Sequence, residues 1–94
     1  MTKNNWTFIT NHAAVLTILD REENLTSRDI SIALDITERT VIRIINDLTA
    51  EGYVTKRKEG RQNRYTINRD LPLRRNDQRE VYVHELLELF DHDI

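Results

Sequence analysis

Ninety-four residues with 38% apolar and 32% charged side chains support one small core and leave no material for a second. The formal charge of −2 argues against a general polyanion binder, and the absence of cysteine excludes a disulfide framework, a thiolate metal site and a cysteine nucleophile. No apolar run approaches the ~18 residues that span a bilayer, and the opening Met1-Thr2-Lys3-Asn4-Asn5 lacks the charged-then-apolar order of a signal peptide, so the cytoplasm is the expected compartment.

Three helices are expected first. His12 to Glu22 carries Ala14, Val15, Ile18 and Leu19 as an apolar stripe at helical spacing, with Thr10 or Asn11 as its cap. Thr26-Ser27-Arg28-Asp29 has the form of a capping box and opens a second helix that turns Ile30, Ala33 and Leu34 inward before stopping near Asp35. Thr37 caps the third, which runs to Glu51 with Val41, Ile44, Ile45 and Leu48 on one side and Gly52 as its left-handed terminator. Two helices joined by so short a turn cross steeply, with Ile30, Leu34, Ile36, Val41 and Ile44 filling the corner and small Ser31 letting the backbones approach. Asp35 stands where many such units have glycine, and Asp tolerates the left-handed conformation at modest cost.

After Gly52 the period changes to two. Val54, Tyr65 and Ile67 fall on one side and Thr55, Arg57, Arg64 and Thr66 on the other, so that pairing Val54 with Ile67 and Lys56 with Tyr65 leaves Glu59-Gly60-Arg61-Gln62 as the tip. A lone hairpin is marginal in water, so it leans on the helices, with a third short strand expected near Leu25. The fold class is therefore α+β, mainly α: a winged helix-turn-helix with a two- to three-stranded wing and an extra C-terminal helix. An ordinary helical hairpin in a small bundle is the rival reading, and it leaves the basic hairpin unexplained.

Charge is distributed unevenly. Residues 53–80 hold nine Lys and Arg against four acids, whereas residues 81–94 hold four acids and neither Lys nor Arg. A helix with an Arg-bearing face followed by a basic hairpin points to duplex DNA. The outward face of the third helix (38–51) is Thr37, Glu38, Arg39, Thr40, Ile42, Arg43 and Asn46. Arg39 and Arg43 suit a bidentate contact to guanine, and Thr37 and Thr40 with the terminal amides suit phosphate. Ile42 meets a thymine methyl or packs; Asn46 reads adenine or solvates the helix. Glu38 and Asp47 repel phosphate, so the wing (53–67), with Lys56, Arg57, Lys58, Arg61, Asn63 and Arg64, is needed on phosphates or in the minor groove.

These residues resemble the MarR/ArsR-like winged-helix transcriptional regulators of bacteria and archaea. Ile36 to Val54 and Glu59-Gly60-Arg61-Gln62-Asn63-Arg64-Tyr65 carry the likeness. A small subgroup also shares Trp6-Thr7-Phe8-Ile9-Thr10-Asn11-His12 and a tail like Asp70-Leu71-Pro72-Leu73-Arg74 followed by Glu85-Leu86-Leu87; Arg75-Asn76-Asp77 departs from the His-Pro-containing stretch expected there. The resemblance implies DNA binding as a homodimer and transcriptional control, and brings no cofactor or ligand.

The expected organisation is a single domain over 1–94: winged helix 6–67, linker 68–78 with the only proline, Pro72, and an association helix 79–91 with Val83, Leu86, Leu87 and Phe90 on one face. That stripe packs on the first helix with Trp6 and Phe8, or on a second subunit; the resemblance favours the dimer. His12, His84 and His92 are scattered and no phosphate loop is present, so no enzyme, metal or cofactor is expected; Glu85, Glu88, Asp91 and His92 are read as a solvated acidic face. The rival function is a protein-docking winged helix without DNA binding, which Glu38 and Asp47 would suit.

Overall fold

A computed structural model of the chain describes residues 9–22, 24–73 and 81–90. Its elements run α1 (Asn11–Arg21), α2 (Ser27–Leu34), α3 (Glu38–Ala50), β1 (Val54–Glu59), β2 (Gln62–Ile67) and α4 (Val83–Phe90), a mainly helical winged helix. Each of the first three helices starts on a threonine whose hydroxyl accepts an amide of the first turn: Thr10 from Ala13, Thr26 from Asp29, Thr37 from Thr40. At α2 the box is complete, because the Asp29 carboxylate also accepts the Thr26 amide at 3.0 Å. That backbone hydrogen bond, more than the one from the Thr26 hydroxyl, holds the Asp29 carboxyl below its ordinary range.

Both ends of the turn region close in the Schellman pattern. At α2 the amide of Ile36 donates to Ser31 O and that of Asp35 to Ile32 O, with Asp35 left-handed at φ 56° and ψ 46°. At α3 the amide of Tyr53 reaches Leu48 O and that of Gly52 reaches Thr49 O, with Gly52 at φ 85°. Both left-handed residues stand where the sequence places them.

One core joins all four helices and the base of the wing. Val15, Leu16 and Leu19 of α1, Ile30 of α2, Val41, Ile44, Ile45 and Leu48 of α3, Val54 of β1 and Val83, Leu86 and Leu87 of α4 are buried together. Ser31 is buried too, its hydroxyl donating to Arg28 O at 2.7 Å, so the small residue allows close packing and satisfies itself. Ala33 is exposed, contrary to expectation. The wing register follows the expected pairing, Val54 with Ile67 through Glu59 with Gln62. The sheet has two strands; Leu25 packs against the core as a half-buried side chain rather than adding a third strand, because the turn before α2 is committed to the Thr26 cap.

The expected linker is tied down over its first half. Asn68 donates its amide to Tyr53 O, Tyr53 Oη donates to Pro72 O at 2.7 Å, and Arg69 Nη1 donates to Asp20 Oδ1 at 2.6 Å. Leu73 N to Val81 O and Val83 N to Leu71 O then clamp an isolated bridge between Pro72 and Tyr82. This extended pair explains why α4 starts at Val83 rather than near Arg79: residues 81 and 82 are spent on the bridge, and the Tyr82 amide donates to Glu85 at 2.8 Å as the helix begins.

The predicted association stripe is corrected in part. Val83, Leu86 and Leu87 are 0%, 9% and 2% exposed within the single chain, because α4 lies on α1. Phe90 sits half-buried at the edge and Leu89, 64% exposed, faces outward. Trp6, Phe8, Arg79 and Asp91 lie outside the described residues. Glu88 stands 3.3 Å from His84 Nδ1, and among the described residues no three His, Asp or Glu gather as a cation site, nor is any helix long and apolar enough to cross a membrane.

Candidate nucleic-acid interface

The core fixes which side of α3 is free. With Val41, Ile44, Ile45 and Leu48 buried, the 3.6-residue period turns Arg39, Arg43 and Asn46 to the opposite side, and all three are exposed. Ile42 lies on the flank toward the wing and is 47% exposed. It packs incompletely, so its methyl groups remain available to an apolar partner.

Glu38 and Asp47, the two acids beside this face, are both engaged. Glu38 Oε2 accepts from Ser27 Oγ at 3.1 Å, joining the starts of α2 and α3. Asp47 Oδ2 lies 2.9 Å from His12 Nε2; a carboxylate only accepts, so that nitrogen carries the proton, and the contact ties α3 to α1. These exposed contacts each contribute under about 1 kcal/mol. Their larger effect is to draw the carboxylates off the Arg39–Arg43 side. The threonines also differ. Thr37 Oγ1 accepts from the Thr40 amide and donates to Thr40 Oγ1 at 2.8 Å, so Thr37 is committed to the cap and the Thr40 hydroxyl keeps its proton for an outside acceptor.

The wing has two chemically distinct faces, since alternate residues of a strand point to opposite sides. Val54, Lys56 and Lys58 share one side with Asn63, Tyr65 and Ile67; Thr55, Arg57 and Glu59 share the other with Gln62, Arg64 and Thr66. The first side and α3 border a groove of about 390 Å³ lined by Asn24, Thr26, Ser27, Ile42, Asn46, Lys56, Arg61, Asn63 and Tyr65 among others. Burial pushes the Tyr65 phenol above its ordinary value, against a smaller opposite effect of its hydrogen bond with Asn63, so it stays a protonated donor at neutral pH. On the outer side Arg57 Nη2 donates to Glu59 Oε2 at 2.7 Å and Arg64 Nε lies 3.3 Å from Glu59 Oε1.

The predicted residues thus fall into three groups. Arg39, Ile42, Arg43 and Asn46 lie on the exposed side of α3, Lys56, Lys58, Arg61 and Asn63 on the groove side of the wing or its tip, and Arg57 and Arg64 on the outer side. Sequence reasoning missed Ser27, Asn24 and Tyr65 as groove residues; the capping box had already marked the Thr26 turn as a place where backbone and polar side chains converge. It also missed the Glu59 pairs, although Arg57 two residues before and Arg64 opposite Arg57 were the signal.

A second, more apolar groove of about 670 Å³ lies between α1, the end of α3 and Leu73, lined by Ile9, Ala13, Leu16, Leu48, Tyr53 and Leu86 with His12 and Asp47 at its edge. No curated protein matches the chain. The sequence model of the MarR family does, over residues 7–64, which takes in α1 to α3 and most of the wing and is more than half of the 94 residues; the chain belongs to the MarR family, a family of DNA-binding transcription regulators.

Proposed function

We propose that the chain is a sequence-specific double-stranded DNA-binding transcriptional regulator that places α3 in the major groove and the wing on phosphates or in the adjacent minor groove. The observation that carries the reading is the groove whose one wall is α3 and whose other is the Lys56–Arg61 side of the wing. A helix of 13 residues is about 20 Å long and fits the major groove end-on or along its floor. Arg39 and Arg43 are the candidate guanine readers. Ile42 and Asn46, on the wing-side wall, suit a thymine methyl and an adenine edge. The Thr40 hydroxyl, Lys56, Lys58, Arg61 and Asn63 hold the backbone.

The acids that would suit a docking module, Glu38 and Asp47, are held by Ser27 and His12, which supports DNA over a protein partner. We further propose a homodimer, with Leu89 and Phe90 at the outer edge of α4 as association residues. A two-fold pair would set the two recognition helices roughly 34 Å apart and select a near-palindromic site.

Fluorescence anisotropy with a random duplex at several salt concentrations, followed by selection of bound sites from a random pool, tests the reading. Salt-dependent binding and an enriched palindrome are expected. Binding to no duplex at low salt overturns it in favour of a docking module. Sedimentation showing a monomer at tens of micromolar would remove the dimer.

A further inference from the structure

The outer face of the wing opposes Arg57 directly to Arg64, an arrangement of like charges that destabilises a hairpin unless something neutralises it. Glu59 does so. It is the sole acid between Val54 and Ile67, it follows Arg57 by two positions on the same face, and its two carboxylate oxygens are divided between the partners, Oε2 at 2.7 Å from Arg57 Nη2 and Oε1 at 3.3 Å from Arg64 Nε. We propose that Glu59 sets the strength of the wing's hold on DNA: by holding Arg57 and Arg64 in ion pairs on the outer face of the wing, it limits the chain's sequence-independent grip on any duplex.

The proposal rests on the DNA reading above and adds a term that opposes it. Sequence-independent affinity grows with the number of phosphates a protein neutralises, and each contact steepens the log-log salt dependence by about 0.9. Were Arg57 and Arg64 as ready to meet phosphate as Lys56 and Arg61, the wing would bind any duplex two contacts more tightly, while the base-facing residues of α3 gained nothing. Each guanidinium must instead give up a carboxylate before it takes a phosphate. The two pairs differ: Arg57 and Glu59, with side-chain exposures of 70% and 46%, share a hydrogen bond in solvent, whereas Arg64 is 35% exposed and its buried Nε meets Glu59 as an ion pair without a hydrogen bond. Exposed pairs of this kind are weak, so Glu59 acts as a competitor that sets a level and does not lock the arginines away.

The experiment measures anisotropy of a labelled random-sequence duplex across a salt series for the wild-type chain, Glu59→Gln, the double variant Arg57→Gln/Arg64→Gln, and the triple variant, each checked for folding by its circular dichroism melt. Glu59→Gln should bind about three- to thirtyfold more tightly near 0.1 M salt, with a slope steeper by about one to two. The double variant should bind less tightly than wild type, by a factor smaller than the gain of Glu59→Gln, because each arginine gives only part of a phosphate contact while Glu59 competes for it. Adding Glu59→Gln to it should then change neither affinity beyond about twofold nor slope.

An equal gain with and without the arginines makes Glu59 a bulk negative charge and overturns the proposal while leaving the DNA reading intact. Weaker binding by Glu59→Gln assigns the residue to holding the hairpin together and also overturns it. Absence of salt-dependent binding by the wild-type chain overturns the DNA reading and the proposal together.

Discussion

α3 and the wing meet at one groove yet are held by opposite means. α3 buries Val41, Ile44, Ile45 and Leu48, closes both ends with a cap, and is tied to its neighbours through Ser27–Glu38 and His12–Asp47. Of the six residues in β1 only Val54 is buried, and beyond Tyr65 and Ile67 the hairpin is held by its own ladder and by charge. A helix set by apolar packing has one position relative to the fold, which suits reading base edges. A hairpin set by ladder bonds and ion pairs can shift by small amounts at little cost, which suits following a phosphate backbone.

The sharpest way to break this comparison is to remove the packing under α3. Ile44 is 1% exposed, and Ile44→Ala should cost about 3–4 kcal/mol of unfolding free energy by urea titration, transfer and cavity terms together. A loss below about 1 kcal/mol would mean that α3 is not anchored as described.

Next in size are two substitutions on the surface. Arg43→Ala should reduce discrimination between selected and random duplexes by about 1–3 kcal/mol, whereas Arg61→Ala at the wing tip should weaken both equally and lower the salt slope by about 0.9. If the ratio of specific to random affinity is unchanged by Arg43→Ala, the division between reader helix and electrostatic wing fails.

A backbone test separates the ends of the same two regions. Gly52 has φ +85°, and a Cβ there would meet Leu71 Cδ1 at an ordinary 3.8 Å, so the cost of Gly52→Ala is conformational and not steric. Forcing an L-residue into the left-handed region at the end of α3 should lower stability by about 1–2 kcal/mol in the same titration.

How much of this was legible beforehand depends on how local the cause is. Thr10, Thr26 and Thr37 as caps, Asp35 and Gly52 as left-handed residues, and the Val54–Ile67 register follow from interactions spanning a few residues, and the sequence states them openly. Ala33 fails because an eight-residue helix makes only two turns and its rotation is chosen by where Ile30 and Ser31 meet α3. The third strand and the free linker fail for a related reason. Leu25 is taken by the Thr26 cap and the core beneath it, and residues 68–73 are placed by long-range bonds, Asn68 to Tyr53 and Leu73 to Val81, which no local pattern announces. In the candidate site, α3's exposed side was legible as the complement of its apolar stripe. The partners of Glu38 and Asp47 were not, since each required knowing which surfaces the fold brings together. The alternation of the hairpin would have revealed Glu59 had its two arginines been read by face and not by count.

The smallest expected effect is also the most direct comparison of the two regions. Gly60 has φ +63° with nothing within 4 Å of a Cβ built on it, and the other central residue of the tip, Arg61, has no positive φ, as in a hairpin turn that needs glycine at its first position. Gly60→Ala imposes a backbone strain like that of Gly52→Ala, in open space. At Gly52 the strained residue is fastened between α3 and Val54, so relieving it means loosening the core. At the wing tip the strain can be relieved by opening the last pair, Glu59 with Gln62, and the loss is capped by the free energy of that opening. Global stability should therefore fall by only about 0.2–0.5 kcal/mol, while amide exchange at the tip accelerates and that of α3 does not. Equal losses at the two glycines would show that the wing is part of the same cooperative unit as the reader helix, and the contrast between a fixed helix and a yielding hairpin would have to be given up.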